Sequence, residues 1–455
     1  MSFPAYPEYK DSGVVWLGGI PAHWNIKKFR YVFEESPEKI TDEVVGDMLS
    51  VSGYRGIEVK QYDDEGRRRT DEELFGYRVV RPGQLVVNTM WLNYAGLGVS
   101  EHEGHVSPAY RSYWIDPAMD KRFIHHLMRS GTYVQGYTRL LTGIRPNSLQ
   151  MGRDDLMVFP VLLPTKSEQT QIARFLDHET ARIDALIEEQ QRLIELLKEK
   201  RQAVISHAVT KGLDPTVPMK DSGVEWLGDV PAHWVVSKIG FRARLQGGFA
   251  FSADMFTTVG VPVVKMNNLK RGVLELSEAA YVSEEFCDER FALHVGDVLF
   301  GMSGSIGPTG SLGNYAVVSE CDIPAMLNQR VGRFVLSTEE VHPGFMTCVL
   351  CSRHFNEQVQ LLVTGTAQFN ISSEQVESCL SVFPPVHEQA QIAHFLVQET
   401  SRFDTLLSEA ENGIALLNER RSALISAAVT GKIDVRGWQP PANTQAPKLE
   451  VAEAH

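Results

Sequence analysis

The sequence predicts an α+β protein in which two mixed α/β domains are separated by two long helices that form an antiparallel coiled coil. It also predicts a pseudo-two-fold internal repeat. Two observations in the chain of 455 residues support this prediction. A short motif occurs twice, and each copy is followed by a block of dissimilar sequence and then by a long heptad-patterned segment.

The duplicated motif comprises residues 10–24, KDSGVVWLGGIPAHW, and residues 220–234, KDSGVEWLGDVPAHW, which agree at 12 of 15 positions. A second pair, residues 168–214 and 388–434, agrees at 25 of 47 positions without a gap. The offsets are 210 and 220 residues, a period too long for a solenoid repeat. The chain is therefore built as a duplicated half-molecule.

The second pair has heptad spacing, which is typical of helices that pack along an apolar stripe. We expect Leu186, Leu193 and Leu406 to belong to this stripe. A helix of about 40 residues is roughly 60 Å long, and alone it would leave its stripe in water. Because equivalent helices related by a perpendicular two-fold axis run in opposite directions, the natural pairing is antiparallel. The seven-residue series are Leu176, Ile183, Gln190, Leu197 and Val204, and Leu396, Phe403, Ala410, Leu417 and Leu424.

The pattern divides the chain into seven segments. Apolar, β-branched runs predict strands inside both variable blocks, at 83–90, 261–268, 296–303 and 315–320, and helices are expected at 123–130 and 345–352. The segments are the first motif (1–28), the first variable block (29–159), the central helix (160–214), the second motif (215–238), the second variable block (239–383), the C-terminal helix (384–434) and a tail expected to be disordered (435–455).

Composition sets limits on function. There are 44 basic and 57 acidic residues, so the net charge is −13, which is a poor prior for nucleic-acid binding. No apolar run is long enough for a membrane span, and the first residues lack the features of a secretory signal. Five cysteines are too few for a disulfide framework, so a cytoplasmic location is expected.

The sequence predicts no catalytic and no metal site. It lacks the glycine loop and the proline-rich tetrapeptide of adenine methylases, and it lacks a phosphate-binding loop with lysine. Cys348 and Cys351 form one CxxC without a second pair nearby, so we interpret them as core residues. His23 and His233 stand beside tryptophans in the two motifs, which favours a packed structural corner.

At this point the chain resembles the specificity subunits of type I restriction-modification enzymes. The resemblance rests on KDSG-x-x-WLG-x-x-PAHW, followed after a variable block by PP-x-x-EQ-x-QIA-x-FL and a long heptad helix, and it extends to about residue 434. The first copy departs from the pattern before its helix, with LPTKSEQ where the second has PPVHEQ. We expect this departure to change only the lead-in to the helix.

The resemblance implies a subunit without catalytic activity. Each variable block would be a target-recognition domain that binds one half of a split, asymmetric site in double-stranded DNA. The helices would dock two methyltransferase subunits, which methylate adenine with S-adenosylmethionine. Endonuclease/translocase subunits, which use ATP and Mg, would join through them. This chain itself would hold no cofactor.

Candidate DNA contacts are polar residues at loops and strand ends of the variable blocks, because Arg and Lys pair well with guanine and Asn with adenine. The glycine-rich stretch 301–310 is interpreted as a turn or as a loop that contacts phosphate. The candidates are Arg67, Arg68, Arg69, Arg145, Asn147, Lys265, Asn267, Asn268, Lys270, Arg271, Ser303, Ser305, Gln368 and Asn370.

Outward positions that recur in both helices are the candidate partner surface, since two copies of one surface would bind two copies of one partner. A plain solvated face is the alternative. Two other functions stay open: a coiled-coil scaffold without a role in DNA binding, and an enzyme with a cryptic methylase or nuclease site. The candidate partner residues are Gln171, Arg182, Glu189, Gln391, Arg402 and Glu409.

Overall fold

The computed structural model describes residues 3–62, 69–143, 149–270, 272–306, 310–337, 339–365 and 368–441. The chain folds as two compact units. Unit 1 comprises Met1–Gln190 and Asn412–His455, and unit 2 comprises Gln191–Glu411. Two long helices begin in one unit and end in the other.

The first half of the chain is rich in short strands, which are followed by three short helices and the first long helix. The strands are β1 (Tyr9–Asp11), β2 (Gly19–Pro21), β3 (Asn25–Lys28), β4 (Phe33–Glu35), β5 (Asp47–Ser52), β6 (Gly56–Val59), β7 (Arg78–Val80), β8 (Leu85–Asn88), β9 (Leu97–Val99), β10 (Gly104–Val106), β11 (Tyr110–Ile115) and β12 (Pro160–Leu163). The helices are α1 (Lys121–Arg129), α2 (Gly131–Thr138), α3 (Arg153–Val158) and α4 (Lys166–Lys211).

The second half also begins with short strands and ends with three short helices and a long helix, but a short strand lies between its second and third short helices. Its strands are β13 (Met219–Asp221), β14 (Asp229–Pro231), β15 (Val235–Lys238), β16 (Ala243–Gly247), β17 (Phe256–Thr257), β18 (Val261–Val264), β19 (Leu269–Lys270), β20 (Val273–Leu274), β21 (Ala280–Val282), β22 (Val298–Gly301), β23 (Ser303–Gly304), β24 (Tyr315–Val317), β25 (Met326–Leu327), β26 (Val331–Leu336), β27 (Phe369–Asn370) and β28 (Leu380–Phe383). Its helices are α5 (Pro343–Cys351), α6 (Arg353–Leu362), α7 (Ser373–Ser378) and α8 (Val386–Val429).

Each variable block contains two four-stranded sheets. In unit 1 the strand orders are β6-β5-β10-β7 and β4-β11-β8-β9, and in unit 2 they are β16-β26-β22-β24 and β17-β21-β18-β25. The mixed α/β character expected of the blocks is therefore observed. None of the helices in the described ranges is both long and apolar enough to cross a membrane.

A two-stranded antiparallel sheet closes each variable block at its base. In unit 1, β3 pairs with β12 so that Asn25 faces Leu163, and in unit 2, β15 pairs with β28 so that Val235 faces Phe383. The first and last residues of each block are thus held side by side. Because both ends of a block leave from one small sheet, its interior can vary without moving the rest of its unit.

The duplicated motif binds the start of a long helix through one glutamate. His23 Nε2 lies 2.8 Å from Glu168 Oε1, and the indole nitrogen of Trp24 donates to the same oxygen at 3.4 Å. In unit 2, His233 Nε2 lies 2.8 Å from Glu388 Oε1. The expected structural corner around both histidines is therefore present, with the repeated glutamate of EQ-x-QIA at its centre.

The glutamine that follows each of these glutamates anchors the variable block. Gln169 Oε1 accepts a hydrogen bond from the Asp120 amide, just before α1, at 2.8 Å. Gln389 Oε1 accepts one from the His342 amide, just before α5, at the same distance. Both glutamines are buried. Each long helix therefore holds a repeated motif and a variable block with adjacent side chains.

The two long helices meet in both units. In unit 1, Arg421 Nε donates to Asp184 Oδ1 at 2.9 Å, and in unit 2, Arg201 Nε donates to Asp404 Oδ1 at 3.1 Å. These are equivalent pairs, because the partners are offset by 220 residues. In unit 1, the start of α4 shares a core with Val429 at the end of α8. The contacting stretches therefore run in opposite directions.

Three leucines do not lie where the heptad pattern places them. Leu186, Leu193 and Leu406 are 40, 42 and 46% exposed, whereas Ile183 and Ile187 are buried. The buried stripe continues with a step of four residues after Ile183, so Leu186, three residues on, falls outside it. The expectation that these leucines belong to the buried stripe was therefore wrong.

The beginning of the predicted disordered tail is packed against unit 1. Val435 is buried, and the ring of Trp438 lies 5.2 Å from that of Phe175. The Asp434 amide donates to the Pro4 carbonyl at 2.7 Å. The prediction for 435–455 is thus corrected for residues 435–441, because an aromatic anchor holds a segment that composition alone marks as disordered. Residues 442–455 lie outside the described part.

Candidate nucleic-acid interface

The segments that follow three strands of unit 2 lie side by side. Val264, at the end of β18, pairs with Leu327 of β25, and Gly301, at the end of β22, pairs with Val331. The Met302 amide also donates to the Arg330 carbonyl at 3.0 Å. We call the polar residues gathered there the polar edge of unit 2. It comprises Lys265, Ser303, Arg330, Gln368 and Asn370.

Three predicted residues, distant in sequence, meet at this edge. Ser303 faces Asn370 across the short sheet of β23 and β27, and its hydroxyl donates to Asn370 Oδ1 at 2.7 Å. Gln368 Nε2 donates to the same hydroxyl at 3.5 Å. Ser303 itself is 1% exposed. The structure thus contradicts an exposed role for Ser303, whose hydroxyl positions the two amide side chains.

Arg330 belongs to the same edge and was missed by sequence reasoning. It lies in the turn between β25 and β26 and is exposed. One guanidinium nitrogen donates to Asn370 Oδ1 at 3.4 Å. In the described part of the chain, no carboxylate forms an ion pair with it. The only available signal was the position of Arg330 one residue before an apolar strand, and that position does not identify its neighbours.

The stretch 265–271 is divided between exposed and internal side chains. Asn268 is 3% exposed, its Oδ1 accepts from the Lys265 amide at 2.9 Å, and its Nδ2 donates to the Glu275 carbonyl at 2.9 Å. The prediction of a DNA contact by Asn268 is corrected, because both ends of its amide hold the turn. Asn267 is exposed, and the Lys265 ammonium lies 4.0 Å from the ring centre of Phe256.

The remaining candidates of unit 2 lie on the surface. Lys270 and Ser305 are exposed. The Leu312 amide donates to the carbonyl of Ser305 at 3.3 Å, and residues 307–309 of the glycine-rich stretch lie outside the described residues. Arg271 lies outside the described residues.

Unit 1 has a comparable edge with different side chains. The Met151 amide donates to the Thr89 carbonyl at 3.1 Å, as the Ile371 amide donates to Met302 in unit 2 at 3.0 Å. Gln150, which pairs with Thr142, therefore occupies the place of Asn370 and is exposed. Gln150 was not predicted.

Two exposed aromatic residues flank this edge of unit 1. Trp91 and Tyr94 are 58 and 60% exposed, and their ring centres are 5.8 Å apart. Among the predicted candidates of this unit, Arg69 is exposed and its guanidinium lies over Tyr77 at 5.7 Å. Arg67, Arg68, Arg145 and Asn147 lie outside the described residues.

The candidate partner residues of the long helices are exposed, with one exception. Arg182, Glu189, Gln391, Arg402 and Glu409 are accessible. Gln171 instead donates through Nε2 to the Val435 carbonyl at 3.1 Å, so its amide is used by the chain's own C-terminal segment. The structure therefore contradicts a free Gln171.

Cys348, Cys351 and His354 lie in or at the edge of the interior of unit 2. Cys348 is buried, and burial raises the pKa of its thiol to about 12. Cys351 is half-buried, and its Sγ lies 2.8 Å from the hydroxyl of Tyr315. Burial lowers the pKa of His354 to about 4. The interpretation of the CxxC as part of the core is consistent with these surroundings.

Comparison with solved structures places the fold. No family model matches the chain. A chain from a structure of the complex assembly and conformational transition of the type I R-M system is similar, with a TM-score of 0.67, 12% identity, and coverage of 90% of this chain and 98% of that one. The HsdS subunit from Thermoanaerobacter tengcongensis is similar with a TM-score of 0.52, 14% identity, and coverage of 91% and 98%. The fold is thus that of type I specificity subunits.

Curated relatives agree in sequence. The type I restriction enzyme MjaVIII specificity subunit of Methanocaldococcus jannaschii is 26% identical over 276 residues, covering 60% of this chain and 62% of that protein. The EcoKI specificity subunit of Escherichia coli K12 is 25% identical over 326 residues, covering 70% and 66%. The matches span just under two thirds of these relatives. The resemblance to specificity subunits of type I restriction enzymes is confirmed.

Proposed function

We propose that the chain is the DNA sequence-specificity subunit of a type I restriction-modification complex and carries no catalytic activity itself. Each variable block would be a target-recognition domain that binds one half of a bipartite, asymmetric site in double-stranded DNA. The observation that carries the proposal is the contrast inside each unit. One repeated framework of glutamate, glutamine and base sheet supports two blocks with different polar edges.

That contrast supports an asymmetric target. Two identical domains on a two-fold frame would bind a palindrome. Here the edge of unit 2 presents Arg330 and Asn370, whereas the corresponding edge of unit 1 presents Gln150. Different donors and acceptors at equivalent places favour different base sequences.

The long helices are proposed to form the antiparallel coiled coil that fixes the spacing of the two domains. The repeated ion pairs Arg421–Asp184 and Arg201–Asp404 support a common register in both halves of the chain. Sites bound on one face of DNA recur about every helical turn, roughly 34 Å. Long, continuous helices suit that task, because they resist bending better than a loop does.

The outward faces of the helices are proposed to dock two methyltransferase subunits. Arg182, Leu186 and Glu189 lie on one face of α4, since they are separated by four and three residues. Arg402, Leu406 and Glu409 repeat this face on α8. An exposed leucine between two charged residues gives an apolar centre with a polar rim, as protein interfaces usually have.

The partners would supply the chemistry. S-adenosylmethionine would bind to the methyltransferase subunits, and ATP and Mg to endonuclease/translocase subunits that join through them. Since the chain has a net charge of −13, it is expected to bind DNA weakly when isolated, with a strong dependence on salt. Basic surfaces of the partners would then provide much of the phosphate contact.

Mapping of methylated adenines tests the proposal. The chain is expressed with its methyltransferase partner, and the methylated sequence is compared with that of cells lacking the chain. Residues 29–159 are then exchanged for the corresponding block of another specificity subunit. One half of the methylated sequence should change and the other should stay constant. Methylation that does not depend on the chain, or an exchange that alters both halves, would contradict the proposal.

A further inference from the structure

We infer that Arg330 recognises a guanine in the half-site bound by the second variable block, and that Asn370 positions its guanidinium. This inference rests on the proposed function and names one residue of the site. An arginine suits the task because its planar guanidinium can donate two hydrogen bonds to guanine O6 and N7 in the major groove.

Charge favours Arg330 for this role. Two neighbouring arginines of the same block are neutralised by carboxylates. Arg333 lies 3.2 Å from Asp297, and Arg242 lies 3.3 Å from Glu340. Arg330 is exposed, and within the described ranges its guanidinium contacts only the neutral amide of Asn370. In an acidic chain, such a cation retains its full attraction for DNA.

Hydrogen bonds also hold Arg330 in place. Asn370 Oδ1 accepts from Arg330 and also from the Ser303 hydroxyl, which is buried and therefore fixed. The Arg330 backbone is held as well, since its carbonyl accepts from the Met302 amide at 3.0 Å. The guanidinium is thus tethered at one nitrogen, and its other N–H groups stay available. Restricting a long side chain in this way lowers the entropy lost on binding.

The surroundings of Arg330 are also polar. Gln368 is exposed and donates to the Ser303 hydroxyl, which in turn bonds Asn370. Unit 1 places Gln150 where unit 2 has Asn370. The arrangement of Arg330 with Asn370 is therefore specific to the second block, as a determinant of one half-site should be.

The test uses the complete chain with its methyltransferase partner and maps the methylated sequence. Arg330→Ala should relax one guanine position in one half-site, with a loss of discrimination of about 10- to 100-fold, and leave the other half-site unchanged. Asn370→Asp should alter the same position, because the new carboxylate would pair with Arg330 and withdraw it. Arg330→Lys should not restore discrimination, since an ammonium lacks the paired donors.

Arg244→Ala is the matched control, because Arg244 is exposed on β16 of the same block. It should leave the methylated sequence unchanged. The inference is overturned if Arg330→Ala lowers methylation without changing the sequence and Arg330→Lys restores it, which would indicate a phosphate contact. It is also overturned if the two variants alter different positions. Failure of the proposed function would instead show in the unsubstituted chain, as the absence of a two-part methylated sequence.

Discussion

A phenylalanine near the start of each long helix is packed differently in unit 1 and in unit 2. In unit 1, Phe175 is fully buried beneath Phe3 and Trp438, whose ring centres lie 5.1 and 5.2 Å away. In unit 2, its counterpart Phe395 is only half-buried and lines a groove of about 360 Å³ with Leu213. The same phenylalanine of the repeated segment is thus buried to different extents in the two units.

The difference arises from the path of the chain. Unit 1 contains both chain ends, so two segments, 3–9 and 431–441, cross the framework. In unit 2 a single linker, residues 212–219, runs from α4 to the second motif. One segment cannot supply as many aromatic side chains as two. The repeated motifs therefore specify the framework of each unit. The segments that pack over it depend instead on how the chain enters and leaves that unit, which differs between the two copies.

The largest expected effect tests the part that both units share. Trp24 and Trp234 are 0 and 1% exposed and pack beside Gly431 and Gly212, which adopt positive φ after the long helices. Trp24→Ala and Trp234→Ala should each lower the free energy of unfolding by about 3–5 kcal/mol. Urea denaturation measures the loss, and hydrogen exchange shows which unit loosens.

Trp226→Ala is the control, since Trp226 is 47% exposed. This substitution should lower the free energy of unfolding much less than replacement of either buried tryptophan. If one of the two buried tryptophans could be removed at a cost below about 1 kcal/mol, the two motifs would not be equivalent supports.

The next largest effect should be a loss of stability in unit 1 that unit 2 does not share. Trp438→Ala removes the ring that covers Phe175 and should destabilise unit 1 by about 2–4 kcal/mol, while unit 2 keeps its exchange rates. Leu213→Ala in unit 2 is the matched change, and because Leu213 is 44% exposed it should cost under about 1 kcal/mol. Equal losses would show that the groove of unit 2 is as well packed as its counterpart.

Acidification should affect both units. Burial, and then the charge of Arg129, lowers the pKa of His125 in unit 1 to about 3, and burial lowers that of His354 in unit 2 to about 4. The unfolded chain takes up these protons near pH 6.5, so stability falls as the pH drops from about 6.5 toward 4. At pH 5 each histidine should cost roughly 2 kcal/mol relative to pH 7.

Denaturation at several pH values measures how steeply the free energy of unfolding falls with pH. Hydrogen exchange then shows which unit is responsible. His354→Gln should flatten this slope for unit 2 alone, and His125→Gln for unit 1 alone. A slope that neither variant changes would mean that other groups govern the response to acid.

The smallest effect concerns the start of the long helices. The Thr165 hydroxyl donates to Glu168 Oε2 at 2.9 Å and accepts from the Glu168 amide at 3.3 Å. Thr165→Ala should therefore destabilise unit 1 by about 1 kcal/mol. Pro385 occupies this place in unit 2 and makes no side-chain hydrogen bond, so Pro385→Ala should cost less in the same denaturation experiment. A larger loss for Pro385→Ala would contradict this difference.

The framework was largely predictable because its signals are local. The expected helices 160–214 and 384–434 correspond to Lys166–Lys211 and Val386–Val429. The runs 83–90 and 261–268 contain β8 and β18. The departure LPTKSEQ changes the helix lead-in, as expected, since Thr165 caps α4 whereas Pro385 precedes α8. The periodicity of apolar residues, together with Gly and Pro at the ends of elements, is sufficient to predict such helices and strands.

The site was less predictable because it is assembled by pairing between distant residues. Arg330 joins Asn370 only through the alignment of β22 with β26 and of β23 with β27. Ser303 and Asn268 have residue types that suit DNA, yet both are buried and serve the fold. Sequence identifies which side chains could bind bases, whereas burial decides which of them are available.

The bond between Pro4 and Asp434 has a consequence for the topology of the chain. Since residues near both ends of the described chain touch, the backbone path returns to its starting point, and the linker 212–219 occupies in unit 2 the place that the two terminal segments occupy in unit 1. A gene rearranged to join the old ends through a few flexible residues, and to begin anew within that linker, should encode the same fold.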